Sequence, residues 1–206
     1  KTEKSLFDLA EKGSFNSNII KFDEAMKQTI DMASAAYKNE GGIVGVPTGL
    51  KDLDYKLGGL HQSDLIIIAG RPSMGKTSLA TNIAFNAAKN LQDNGKESSI
   101  AFFSLEMSSE QLSTRIISEQ ARISSNDIRQ GRITDEQFDK FLETSKNIAD
   151  LPLFIDETPA ISIAAMSNRA RRIKRRSGLD MIVVDYIQLM KGTTFNKDGR
   201  VQEISQ

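Results

Sequence analysis

The sequence contains no cysteine and a single histidine, His61. Disulfides, thiolate nucleophiles and cysteine-held metals are therefore excluded, and one imidazole cannot supply the paired ligands of most zinc sites. An excess of charge of either sign is also lacking: 27 Lys and Arg balance 27 Asp and Glu over 206 residues. Bulk charge thus gives no argument for a polycation or an acidic tail. Long apolar runs are missing too. The longest, residues 65–69 and 181–184, fall far short of the roughly 18 residues of a membrane span, and the charged start has no signal-peptide core. A soluble, cytoplasmic protein without membrane contact is expected. What is present is a composition near the globular average, 39% hydrophobic and 26% charged, with length for one domain and an additional arm. The chain opens on Lys1 and stops at Gln206 within a polar stretch, so it is expected to be a piece of something longer.

Two short helical patterns come first. Residues 5–12 read as a helix closed by Gly13, followed by turn chemistry at Asn16, Ser17 and Asn18. From Phe22 a longer helix is predicted. At 100° per residue Phe22, Ala25, Met26, Thr29, Ile30, Ala33, Ala36 and Tyr37 share one face, with Asp23, Glu24, Lys27, Asp31 and Lys38 opposite. That apolar face needs a partner surface. Gly41 and Gly42 end the helix, and the glycine-rich stretch 45–59 marks the boundary between a helical arm, 1–42, and a larger domain, 43–206.

In the larger domain strands and helices alternate, which implies an α/β fold with a mostly parallel sheet. The predicted order is a strand LIIIA at 65–69, a helix through about Gln92 and a strand SIAFFS at 99–104. Two helices follow, opened by the capping boxes Ser108/Gln111 and Thr134/Gln137. Then come a strand LFID at 153–156, a helix from Ser162 to Arg176 stopped by Gly178, and a strand MIVVD ending at Asp185. A polar loop is predicted over 191–200.

Gly70, Arg71, Pro72, Ser73, Met74, Gly75, Lys76 and Thr77 fit G-x-x-x-x-G-K-[ST] between the predicted strand and helix, the context this motif requires. Its glycines let the backbone N–H groups turn towards phosphate oxygens, and the helix that begins near Lys76 adds its positive end. Lys76 would reach the β and γ phosphates of a nucleotide and Thr77 would ligate Mg²⁺; Ser78 completes the candidate binding loop. A second acid is needed at the end of a neighbouring strand, and Asp185 fits. Glu106, just past the strand after the loop helix, could position the water for hydrolysis. It could equally be an acid favoured by the dipole of the helix opened at Ser108. His61 reads as a surface residue. The run Arg169, Arg171, Arg172, Lys174, Arg175, Arg176 lies opposite Ile163, Met166, Ala170 and Ile173 on a helical wheel. It reads as a solvated face rather than a nucleic-acid site, since no aromatic residues interleave.

The segments PTGLKDLDYKLGGL (47–60), DLIIIAGRPSMGKT (64–77), SLEMS (104–108) and VVDYIQLM (183–190) together resemble the motor domain of the replicative hexameric DNA helicases, the DnaB family. The resemblance implies a RecA-like P-loop NTPase core preceded by a linker whose helix docks on a neighbouring subunit, which would give the apolar face of residues 22–37 a partner. It also implies ATP and Mg²⁺ as ligands and a homohexameric ring that translocates on single-stranded DNA at the replication fork, with primase and a helicase loader as partners. By motif position Lys76 and Thr77 correspond to the Walker A pair, Asp185 to the Walker B acid and Glu106 to the catalytic glutamate. The loop 191–200 matches the position of a loop in the ring's central channel. A RecA-like recombinase or clock-type ATPase is the alternative, and a non-catalytic docking module a third reading. The family's sensor strand, main DNA loop and arginine finger, with a strand flanking MIVVD, are expected beyond Gln206, and the primase-binding domain ahead of Lys1. Residues 1–206 alone are accordingly expected to be inactive.

Overall fold

The computed structural model describes residues 21–38 and 43–191. The helix expected at 5–12, the Asn16–Asn18 turn, the Gly41–Gly42 stop and the loop after Lys191 lie outside the described residues. By its internal contacts the chain divides into two units, Lys1–Gly42 and Ile43–Gln206.

In the first unit α1 runs over Phe22–Lys38 with Asp23 and Glu24 in its first turn, where carboxylates complement the helix dipole. Its predicted apolar face is exposed: Phe22, Met26, Ile30 and Tyr37 all stand in solvent.

The second unit begins with a clamp rather than a linker. Val46 and Leu60 exchange backbone hydrogen bonds of 2.8 Å in each direction, closing the glycine-rich stretch around a short helix, α2 (Lys51–Leu57). Then follow α3 (Lys76–Asp93), β1 (Ile100–Ser104), α4 (Ser109–Ala121), α5 (Ser125–Arg129) and α6 (Asp135–Asn147). The chain continues through β2 (Leu153–Asp156), α7 (Ile163–Ser177), β3 (Met181–Asp185) and a 3₁₀ turn at Ile187–Leu189. Both predicted capping boxes form, Ser108 with Gln111 and Thr134 with Gln137. Ser162 caps α7 and Gly178 ends it.

The sheet is parallel, with order β2-β1-β3. β1 is buried along its whole length because helices cover both faces, the usual state of a central parallel strand. Its alternation divides the core in two. Ile100 and Phe102 pack with Ala84, Ala87, Ala88 and Leu91 of α3 and Leu112 of α4. Ala101 and Phe103 face the other way, towards Ile161, Ala165, Met166 and Ile173. Phe102 and Phe103 are each 1% exposed, and burying a phenylalanine stabilises by about 1.5–3 kcal/mol. The central strand therefore fixes α3 on one side and α7 on the other.

The expectation of a strand at 65–69 is not met. Residues 65–69 form no regular element and join no ladder, and Leu65 and Ile67 are 87% and 75% exposed. Propensity for a strand is realised only through cross-strand partners. Among the described residues β3 pairs with β1 on one side and nothing pairs with 65–69.

Candidate functional site

Residues 70–75 turn the chain from that exposed segment into α3. Ser73 and Gly75 take φ of 64° and 87°, so the backbone passes twice through the left-handed region. At Gly75 an added Cβ would meet nothing within 4 Å, so the dihedral rather than space calls for glycine. Gly75 is also the N-cap of α3 and brings no side chain to cap it. The first N–H groups of a helix have no intrahelical acceptor, and here they sit beside the exposed residues Arg71, Pro72, Ser73, Met74 and Ser78. The Lys76 ammonium donates to the Gly70 carbonyl at 2.8 Å, folding the cation back across the loop. Uncapped N–H groups, a helix dipole and a lysine on one turn make a site for an anion.

The clamp holds α3 from its other side. Asp54 is buried and accepts from the Thr48 N–H at 2.8 Å, the Thr48 hydroxyl at 2.7 Å and the Gly49 N–H at 3.0 Å. The Thr48 carbonyl in turn accepts from the Asn86 amide at 3.0 Å. Gly49 has φ 76°, and a Cβ there would lie 2.3 Å from the Asn86 side chain, so only glycine fits between the clamp and the helix.

Asp185 ends β3 and Ser104, its register partner, ends β1. Both strands therefore deliver their C-terminal residues to one sheet edge, where open parallel sheets bind ligands. Asp185 is 6% exposed, and its Oδ2 is buried without a hydrogen-bond partner. Leaving such an acceptor unpaired costs about 1–3 kcal/mol. A hard divalent cation with carboxylate, hydroxyl and phosphate ligands fits this donor set. Among the described residues no three His, Cys, Asp or Glu side chains form a metal cluster, so the remaining ligands would come from Thr77, phosphate and water.

Glu106 is exposed in the segment between β1 and α4. That segment is tied to the acid's strand by the Leu105 N–H, which donates to the Asp185 carbonyl at 2.8 Å. Arg115 of α4 donates to the Ser78 hydroxyl at 3.3 Å, which places a guanidinium on the first turn of α3. Arg115 belongs to no motif in the sequence and lies six residues beyond the first residue of α4, so it is the packing of α4 on α3 that brings it beside this loop.

At the end of β2, Arg169 donates to Asp156 Oδ1 at 2.7 Å and to the Thr158 hydroxyl at 2.5 Å. Arg169 therefore departs from the expected solvated face, whereas Arg171, Arg172, Lys174, Arg175 and Arg176 are exposed as expected. Partial burial pushes the Asp156 carboxyl up, but the hydrogen bonds from Arg169 and Thr158 and the charge of Arg169 outweigh this and hold it below its ordinary value. His61 is exposed in a turn whose backbone bonds to Asp64 and lies on none of these elements.

A family model described as the DnaB-like helicase C-terminal domain matches residues 45–206. The chain belongs to the DnaB-like helicases. It is 44% identical to the replicative DNA helicase DnaB of Rickettsia conorii over 209 aligned positions, covering 99% of this chain and 42% of that protein. The DnaB of Geobacillus stearothermophilus is 39% identical, with 89% of this chain and 39% of the relative covered. The chain thus spans about two fifths of the length of these DnaB relatives. Among solved structures, one described as an ATPase domain superposes with a TM-score of 0.79 at 28% identity, covering 90% of this chain and 63% of that one. A DnaB-like replicative helicase whose structure was described with its primase interactions gives 0.76 at 27% identity, covering 99% and 48%. The RecA-like α/β fold expected of a DnaB-like domain is the fold observed. No helix among the described residues is long and apolar enough to cross a membrane.

Proposed function

We propose that residues 43–206 are part of the ATPase domain of a ring-shaped replicative DNA helicase and that residues 1–42 are its helical linker arm. One observation carries the nucleotide reading: the uncapped start of α3, with Lys76 folded over its loop, occurs in the same unit as a buried carboxylate oxygen left without a partner at the end of β3. An ATP triphosphate supplies the anion that the first needs. Mg²⁺ held by Thr77 and Asp185 would neutralise charge on the phosphates.

The protein's own groups then divide the work. The N–H groups and side chains of Gly70, Arg71, Pro72, Ser73, Met74, Gly75, Lys76, Thr77 and Ser78 cradle the phosphates, with Lys76 exchanging the Gly70 carbonyl for a phosphate oxygen. Glu106 orients the attacking water and takes its proton, a role that contributes about 10²–10⁴ in rate. Arg115 adds a cation beside Ser78. Hydrolysis at subunit interfaces of a homohexamer would drive translocation on single-stranded DNA at the replication fork. Primase and a helicase loader are the expected partners, and the cytoplasm the expected place. The relatives reported above are replicative helicases, which supports this reading over a recombinase or clock-type ATPase.

The test is unwinding of a forked duplex by the full-length protein with ATP and Mg²⁺. Strand separation together with DNA-stimulated ATPase is expected. ATPase without unwinding would favour the recombinase or clock-type reading, and absence of both a docking module. Glu106→Gln should keep ATP binding while lowering turnover by about 10² or more; turnover within a few-fold of the parent would return Glu106 to a helix-start acid.

A further inference from the structure

Glu106 lies in a segment of four residues, 105–108, that joins β1 to α4. One end is tied to β3 through the Leu105 N–H. The Ser104 hydroxyl donates to the Met107 carbonyl at 2.7 Å and closes the segment on itself. At the far end, the backbone N–H of Ser109, first residue of α4, donates to the carboxylate of Glu157. Glu157 stands immediately after β2, 48 residues away in sequence. The hydrogen bond from the Ser109 backbone, with a second from its side chain, holds the Glu157 carboxyl below its ordinary value, so the acceptor is ionised at neutral pH.

The turn that presents Glu157 is itself fixed. Arg169 grips Asp156 and Thr158 on either side of it, and the Thr158 N–H donates back to Asp156 at 3.0 Å. The capping box of α4 is complete without Glu157, since Ser108 and Gln111 satisfy each other's N–H groups. Glu157 is therefore not needed to start the helix. What it adds is a bond from a different strand to the residue three places after Glu106.

We propose that Glu157 is a positioning residue for Glu106: by accepting the Ser109 N–H, it sets the segment 105–108 against the β2 end of the sheet and so aims the water-orienting carboxylate. This rests on the reading of Glu106 given above. The relative sizes of two effects favour a functional over a stabilising role. Glu157 is exposed, and an exposed polar contact is worth little to global stability. Displacing a catalytic group by about 1 Å, by contrast, can cost about 10² in rate.

The experiment uses the full-length protein, with single-turnover ATP hydrolysis, binding of a fluorescent ATP analogue and thermal unfolding measured for Glu157→Ala, Glu157→Gln and Glu106→Gln, and for Glu157→Ala combined with Glu106→Gln. Glu157→Ala is expected to lower the hydrolysis rate about 10-fold while analogue affinity and unfolding temperature stay at the parent values. Glu157→Gln, which keeps an acceptor oxygen, should recover most of that loss. On the Glu106→Gln background the added Glu157→Ala should cost less than about twofold, because two residues acting through one group are not additive. A parent-like rate in Glu157→Ala overturns the proposal, as does a loss fully additive with Glu106→Gln or one matched by a fall in unfolding temperature. If Glu106→Gln alone keeps parent turnover, the Glu106 reading fails instead, and the two failures are told apart by that single variant.

Discussion

Asp54 offers the sharpest quantitative test, because isosteric replacement of one carboxylate should be nearly as damaging as its deletion. Its two oxygens accept three hydrogen bonds, two of them on Oδ1 from Thr48 and one on Oδ2 from Gly49. An asparagine has the same shape but offers one acceptor oxygen and two donors, so one face of its amide must set an N–H group against Thr48 or Gly49. Thr48 is fully buried, and a buried donor left unsatisfied costs about 1–3 kcal/mol. With a smaller share for the Gly49 N–H, Asp54→Ala should weaken the clamp by about 2–4 kcal/mol, and Asp54→Asn, which keeps one acceptor oxygen, by about 1–3 kcal/mol. At 1.4 kcal/mol per decade this is about 30- to 1,000-fold in local opening for Asp54→Ala and about 5- to 150-fold for Asp54→Asn. Hydrogen exchange at the Thr48 and Gly49 amides reads that opening directly. Because the Thr48 carbonyl accepts from Asn86, the loss should pass to α3, and nucleotide affinity should fall with it. Exchange in Asp54→Asn within threefold of the parent would refute the reasoning, since it would mean that the carboxylate's second acceptor oxygen is dispensable.

Lys76→Ala should abolish turnover and weaken nucleotide binding, because a charge-assisted contact is lost where phosphate charge concentrates; parent-level ATPase in the full-length variant would remove the loop from the mechanism. Replacing Phe22, Met26 and Ile30 together by serine should impair ring assembly more than subunit folding, since all three are exposed on one face of α1. Light scattering decides it, and a variant still hexameric at the parent concentration would leave that face without an assembly role. Arg169→Ala should lower stability at neutral pH and not in acid. The Asp156 carboxyl is held below its ordinary value of 3.8, so its contribution is fully present above that pH and is lost as pH falls through the lower folded value. Melting curves of parent and variant should therefore begin to converge as pH falls below about 3.8, and a constant gap down to about pH 2 would show that Arg169 acts through packing alone.

The strands and long helices of the larger unit were legible because each carries its own signal. MIVVD and LFID are short runs of strand formers, and α4, α6 and α7 each open on a hydroxyl cap. α2 carried none. Leu50 precedes it without a side-chain cap, and seven residues between glycines are too few to show a helical period. Residues 65–69 failed for the opposite reason. Their composition is that of a strand, but a ladder is a property of two segments and the partner is not written in either one. The same distinction divides the candidate site. Lys76, Thr77 and Asp185 could be read from local context, a loop between two elements and an acid closing a strand. The contact of Arg115 with Ser78 and the bond of Ser109 to Glu157 each join residues far apart in sequence, whose meeting depends on how the elements pack around the sheet; the Asp54 clamp is local, but no standard motif announces a carboxylate accepting from residues five and six places before it. Arg169 shows the limit from the other side: a helical wheel sees only its own helix, and the carboxylate that recruits this arginine sits on β2.

The sheet edge where these strands end also explains why one acid rather than another is the candidate ligand. Asp156 and Asp185 both close strands that flank β1, and on sequence alone each is an acid closing an apolar strand. The fold treats them differently. Asp156 is partly exposed and receives an arginine, a hydroxyl and a backbone N–H, so little capacity is left for a cation. Asp185 is buried more deeply and receives no partner at Oδ2. A desolvated acceptor is costly to leave unmatched, and β2, on the other side of β1, shows that this fold can supply a cation to an acid when structure alone is at stake. An unmatched oxygen at β3 is therefore consistent with the proposal that a cation completes this site. The register that sets Ser104 beside Asp185 then carries Glu106 past the same edge, so that the two candidate acids, one proposed to orient water and the other to hold a cation, follow adjacent strands because β1 and β3 are neighbours in space, although 80 residues separate Leu105 from the Asp185 carbonyl it bonds.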